Sequence, residues 1–228
     1  NTAVWDGVYM QNPYHYGGLF SVFNLSLVDR ISFYTGAFPA VYGNALSSVL
    51  RIDNRAGDLE KFKGSATIGI VNSGLNLEVP LGLLDGSSLI IGARRTYYDL
   101  LLKLLIKEPG IVFPYYYDVQ GNVRLKSGDD IFVLSGLYSF EDLNITADVP
   151  VKNAGQDRET PVVAALAATR SPTISFQWRH MESRMSYFDF DIGGIKTYSK
   201  EDLDVDMGDY STGKINDRWI YYFKYYNY

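Results

Sequence analysis

Cysteine is absent from the 228 residues, and histidine occurs only twice. The first absence removes disulfides, thiolate metal sites and thiol nucleophiles together. It suits an oxidising compartment without requiring one. The second leaves too few imidazoles for a histidine-built metal centre, and no carboxylate pair adjoins His15 in sequence to complete one. Positive charge is also scarce: 21 Lys and Arg against 26 Asp and Glu give a net charge of −5. The charges are scattered, so there is neither a basic stripe for nucleic acid nor a Lys/Arg cluster for an anionic membrane surface. No apolar run approaches the roughly 20 residues of a transmembrane helix. The longest, Leu100 to Ile106, is broken by Lys103, so any membrane crossing would have to use strands.

Catalytic motifs are missing as well. There is no Gly-x-Ser-x-Gly elbow, no His-Glu-x-x-His and no phosphate-binding loop, so the chain reads as neither an enzyme nor a cofactor protein. The acidic run Glu201 to Asp206 offers alternate Asp oxygens to calcium, but it lacks the glycine turn and closing Glu of an EF-hand. Alternate Asp on the wet face of a strand explains the same pattern, and no metal site is assigned.

Aromatic residues are abundant instead: 19 Tyr, 12 Phe and 3 Trp, 15 % of the chain. From Lys61 onward apolar and polar residues alternate with period two. Ala66, Ile68 and Ile70 do so; so do Leu75 to Leu81, Val119 to Lys126, Phe188 to Ile192 and Leu203 to Met207. Each is a strand with one apolar and one polar face. Such strands build either an antiparallel sheet with one wet face or a membrane barrel with apolar residues toward lipid, and periodicity does not choose between them. Ser127-Gly128-Asp129 reads as a hairpin turn. Residues 144–172, rich in Ala, Thr and Pro, read as a long loop, or as two loops joined across missing sequence. Arg94 and Arg95, being adjacent on a strand, face opposite ways.

The first 57 residues have a different texture. Asp6-Gly7 is a turn signal. Asn12, Pro13, Tyr14, His15, Tyr16, Gly17 and Gly18 form a loop, and 19–30 suit a short helical turn capped by Asn24 or Ser26. Ile31 to Gly57 holds two strands (Ile31 and Phe33; Val49, Leu50 and Ile52) around a corner of Gly36, Pro39, Tyr42 and Gly43. Pro39 fixes φ, and the glycines are free to take conformations that a Cβ forbids.

That wording, Gly36-Ala37-Phe38-Pro39-Ala40-Val41-Tyr42-Gly43 followed by Leu46-Ser47-Ser48-Val49-Leu50, resembles the C-terminal half of the plug domain of TonB-dependent outer-membrane receptors of the Bacteroidetes (SusC-like) type. Gly86 to Asp99, ending in Arg95-Thr96-Tyr97-Tyr98-Asp99, resembles an early barrel strand of the same receptors, one that runs into a short helical loop, which would here be Leu100 to Ile106. The resemblance runs over about residues 1–144. It implies a mainly β chain: an α+β plug fragment over 1–58, then antiparallel transmembrane β-barrel strands over 59–228, part of a plugged barrel of about 22 strands. At roughly 10 residues a strand this chain would supply about eight to ten. The chain begins without Met and is read as an internal piece, with the rest of the plug and a TonB box upstream.

By the same resemblance Asn12, Tyr14, His15 and Tyr16 lie at the plug apex and contact substrate; the bland reading is a turn with exposed aromatics. Asp6, Gly7, Gly36, Pro39, Tyr42, Gly43, Ser47 and Ser48 would be the structural motif of the plug. The implied function is active uptake of a scarce nutrient: a glycan, a peptide or a metal chelate. The implied partners are outer-membrane lipids, TonB in the periplasm, and a surface lipoprotein or other outer-membrane complex subunits; nucleic acid is not among them. The alternatives are a plug-containing barrel serving as a scaffold without transport, and a soluble lectin-like β-sandwich.

Overall fold

The structure, a computed structural model, describes residues 1–43, 45–82, 85–97, 99, 114–148, 161–182, 186–209 and 214–226. It is mainly β. A small sheet is built from β1 (Thr2–Trp5), β2 (Val8–Met10), β5 (Val28–Tyr34) and β6 (Val49–Asn54), in the order β2-β1-β6-β5. β1 runs parallel to β6, and the other pairs are antiparallel. Between β2 and β5 lie a two-residue hairpin, β3 (Tyr14–His15) with β4 (Phe20–Ser21), and two 3-10 turns, Tyr16–Gly18 and Leu25–Leu27.

Asp6 (φ 43) and Gly7 (φ 84) close the β1–β2 hairpin. Both central residues are left-handed, which suits the right-handed twist of the strands and explains the Asp-Gly pair. At the Gly36–Gly43 corner the left-handed position falls on Ala37, φ 48, and not on either glycine. Tyr42 N–H donates to the Pro39 carbonyl at 3.1 Å, which closes a turn. The Tyr42 ring is then buried with Val4 and Val49, and its hydroxyl accepts from Arg51 at 3.1 Å. Ser48 prolongs the β1–β6 pairing through Thr2 N–H to Ser48 O, 2.9 Å; Ser47 is exposed. Asn24, not Ser26, caps the second 3-10 turn: its side chain accepts from Ser26 N–H at 3.1 Å.

The second sheet is long and antiparallel. It comprises β7 (Lys63–Ile68), β8 (Asn72–Pro80), β9 (Ser88–Thr96), β10 (Tyr115–Ser127), β11 (Asp130–Asp148), β12 (Pro161–Met181), β13 (Tyr187–Ile195), β14 (Tyr198–Asp209) and β15 (Lys214–Tyr226). Each pairs with its sequence neighbour except β13 with β14, which both pair with β12. That strand pairs with β13 along Thr173–Met181 and with β14 along Val163–Arg170, so β13 and β14 form one interrupted strand. Connections alternate in length from β8 onward: β10–β11 and β12–β13 turn tightly at one end, whereas 97–114 and 149–160 separate strands at the other.

Of the stretch 144–172, read from sequence as a loop, 144–148 and 161–172 are strand, since β11 runs to Asp148 and β12 begins at Pro161; 149–160 lie outside the described residues. The run of Ala, Val and Leu in β12 has no polar alternation to betray a strand, and the pairing with β11 supplies what periodicity did not. The helical loop expected over Leu100–Ile106 lies outside the described residues.

The small sheet packs on one face of the long one. Trp5, Met10, Val22, Phe23 and Ile52 form a core with Leu137 of β11. Ile90 of β9, facing Gly57, and Leu27, at Gly92, add to it, and much of the remaining contact is polar. Asn76, Gln120, Asn122, Thr173, Ser135 and Ser175 point at the small sheet, none more than 5 % exposed. On the opposite face of the same strands Leu75, Ile91, Val119, Leu134, Ile174 and Ile192 are bare, 37–63 % exposed. The long sheet therefore has its polar side covered and its apolar side open.

Candidate functional site

The loop between β2 and β5 meets β9, β10 and β11 at the end of the long sheet that carries the long connections. β3 alternates, so Tyr14 is 41 % exposed while His15 is 2 % exposed. The His15 ring stacks on Tyr116, centroids 4.2 Å apart and planes 16° apart. Its Nε2 is 2.8 Å from Asp118 Oδ1, and its Nδ1 is 3.2 Å from Glu141 Oε2.

Both partners are carboxylates, which only accept, and a neutral imidazole has one donor. Only the imidazolium donates to both. Burial opposes that charge, but the hydrogen bonds and charges of Asp118 and Glu141 outweigh it and raise the His15 pKa above its ordinary value. Arg94 closes the cluster: it donates to Asp118 Oδ2 at 2.8 Å, to the Ser21 carbonyl, and lies 5.6 Å from the Tyr116 centroid. Two cations thus face two carboxylates in a buried site, as burial of charge requires. Glu141 also accepts from Tyr16 N–H at 2.9 Å. The Tyr16 phenol is raised well above its ordinary pKa by burial and by Glu141.

A second cluster lies beside the first. Asn24 N–H donates to Gln120 Oε1 at 3.0 Å, and Asn24 Nδ2 to Asn76 Oδ1 at 2.8 Å. Gln120 Nε2 donates to Asn54 at 2.6 Å, and Asn122 Nδ2 to the Arg55 carbonyl at 2.9 Å. Arg55 pairs with Glu78 at 2.8 Å. Gly92 makes this approach possible, because a Cβ there would collide with Asn76, Asn24 and Leu27. At the β1–β2 turn, Asp6 accepts from Asn54 N–H at 2.8 Å and from its side-chain amide at 2.7 Å. Burial raises its pKa, and Ser175 donates to its carbonyl at 2.5 Å. Where the two sheets part, Arg51, Arg124, Arg179, Asp189 and Asp191 line a charged cavity of about 170 Å³.

Of the four loop residues singled out in the sequence, the structure gathers them in one hairpin but gives them different environments. Tyr14 is open, Asn12 and Tyr16 are half-buried, and His15 is committed at both nitrogens to the long sheet. Asp118, Glu141, Arg94, Tyr116 and Gln120 were not foreseen as partners. The signal was present in the uninterrupted polar parity of β10, Tyr116, Asp118, Gln120, Asn122 and Arg124, all on the covered face. His15 has both ring nitrogens engaged, so neither is free to act as a base or ligand, and no group of three or more metal-binding side chains occurs among the described residues.

No family model matches the chain, and no curated protein does.

Proposed function

We propose that the chain is part of a TonB-dependent outer-membrane transporter. In this reading 1–58 is the C-terminal part of its plug, and the strands after 59 are barrel wall. The observation that carries it is the inverted polarity of the long sheet. A soluble sheet buries its apolar face; here buried Asn, Gln and Ser face the small sheet, while Leu134 and Ile174 stand bare. That is the polarity of a wall between lipid outside and a hydrated, plugged lumen inside. The aromatic placement supports it. Phe132, Trp178 and Phe188 gather near the short turns, and Tyr117, Tyr138 and Phe140 near the long connections, as two interfacial girdles would. The long connections then face outward and the loop of Asn12, Tyr14, His15 and Tyr16 lies at the apex, where Tyr14 offers a ring to cargo. The cargo is a scarce nutrient such as a glycan, a peptide or a metal chelate. It is moved, not transformed, so the chain is no enzyme.

The test is uptake by cells carrying the full-length gene, with and without an upstream TonB box. Transport predicts that removing the box abolishes accumulation while surface binding of cargo persists. A scaffold predicts no energy-dependent accumulation in either case, with assembly of an outer-membrane complex lost when the gene is deleted.

A further inference from the structure

One row of the long sheet crosses four strands in strict register: Arg95 of β9 opposite Tyr117 of β10, Tyr117 opposite Phe140 of β11, and Phe140 opposite Arg170 of β12. β14 prolongs it, with Tyr198 opposite Arg170. All five lie on the open face, two positions along each strand from bare apolar residues such as Val119, or a little further. The row sits at the long-connection edge of the apolar band.

Its charges rest on its rings. The Arg95 guanidinium lies 5.1 Å from the Tyr115 centroid, that of Arg170 5.4 Å from Phe140, and the Lys196 ammonium 4.9 Å from Tyr198. Phe140 and Tyr117 stack at 4.9 Å. Arg95 shares its charge with Asp99 at 2.7 Å; Arg170 has no carboxylate within ion-pair distance among the described residues. At the short-turn edge of the same face the outward positions are Phe132, Trp178, His180, Phe188 and Asp130, with no Lys or Arg among them. Among the described residues, cations on the open face therefore mark one edge only.

We propose that this row is a binding shelf for the phosphate headgroup of a membrane lipid. The inference rests on the outer-membrane reading above. Guanidinium groups match phosphate oxygens with paired donors, and stacking on a ring holds them in place before the ligand arrives. Arg95 and Arg170 stand three strand spacings apart, about 14 Å, a span that fits a headgroup larger than one phosphate. The apolar band beginning just below supplies a bed for acyl chains, which a water-soluble anion has no use for. An aromatic girdle alone accounts for the rings but not for cations on one edge only.

The full-length protein is purified in a nonionic detergent and mixed with micelles carrying diphosphoryl lipid A or phosphatidylcholine, and bound lipid is counted by native mass spectrometry. Preferential retention of the lipid A is expected, falling roughly tenfold or more in R95Q/R170Q and by a smaller factor in R170Q, whose exposed side chain holds no ion pair. R30Q, an exposed arginine on the edge of the small sheet, should leave retention unchanged. Equal retention of both lipids, unchanged retention in a folded double variant, or complete displacement by excess inorganic phosphate overturns the shelf. A full-length protein that stays monodisperse without detergent overturns the outer-membrane reading itself, an outcome distinguishable from loss of the shelf alone.

Discussion

His15 and Asp118, 103 positions apart in the chain, meet at 2.8 Å with 2 % and 0 % of their side chains exposed. This contact ties the loop of the small sheet to the long-connection end of β10 in the long one, and Arg94 takes the other oxygen of the same carboxylate. His15→Ala leaves Glu141 without its cation and Asp118 with only one. Breaking one partner out of a buried charged set costs about 3 kcal/mol. Thermal unfolding in detergent should register that loss, and limited proteolysis should find the 12–23 loop opened. An unchanged melting curve would contradict the buried cluster.

The same histidine makes the docking pH-dependent. Its pKa is raised in the folded state, so its contribution is complete below the unfolded value of about 6.5. It is lost as pH rises through the folded value. Stability should therefore fall as pH rises above about 6.5 in the parent protein, with a shallower fall in His15→Gln. Parallel curves for the two proteins would show that His15 does not titrate in that window.

Gly92 faces Asn24, Asn76 and Leu27 with no room for a side chain. Gly92→Val should push the capped 3-10 turn off the long sheet at a cost of about 2 kcal/mol. Hydrogen exchange should quicken at the amides of Asn24 and Ser26, which donate to Gln120 and to the Asn24 side chain. Protection unchanged at these amides would refute the close approach.

Leu134 stands 48 % exposed in the middle of the apolar band. On a soluble surface Leu134→Arg would change stability by less than about 0.5 kcal/mol; facing the bilayer midplane it costs about 2–4 kcal/mol. Unfolding titrations of vesicle-reconstituted protein separate the two.

Local chemistry was the part of this molecule open to reading. Asp6-Gly7, the strands about Ile31 and Ile52, the Asn24 cap and the Ser127–Asp130 hairpin follow from turn residues and period two, which act over a few positions. The left-handed site at the corner fell on Ala37 instead of a glycine, because the turn that buries Tyr42 sets that backbone. β12 reaches back into 144–172 through Val162 to Ala168, where no polar alternation marks a strand. Asn144 to Asp148 of β11 alternates over only five residues, and pairing between the two strands extends both. The docking clusters were hidden for a simpler reason. His15 meets Asp118, and Asn24 meets Gln120, only after two sheets have formed and packed, and no spacing along the chain encodes that meeting. Periodicity identified two-faced strands, but which face was covered required seeing the small sheet lie against the polar one.

Single thiols can be introduced for spin-labelling, and residues 1–228 contribute no cysteine of their own. Leu134 and Ile174 on the long sheet and Leu46 in the connection between β5 and β6 are all bare apolar residues, 48 %, 57 % and 100 % exposed. In the full-length protein reconstituted in vesicles, labels at 134 and 174 should be relaxed by oxygen dissolved in lipid and shielded from an aqueous nickel chelate. The label at 46 should show the reverse. Equal access of the chelate to all three positions would contradict a membrane-facing wall.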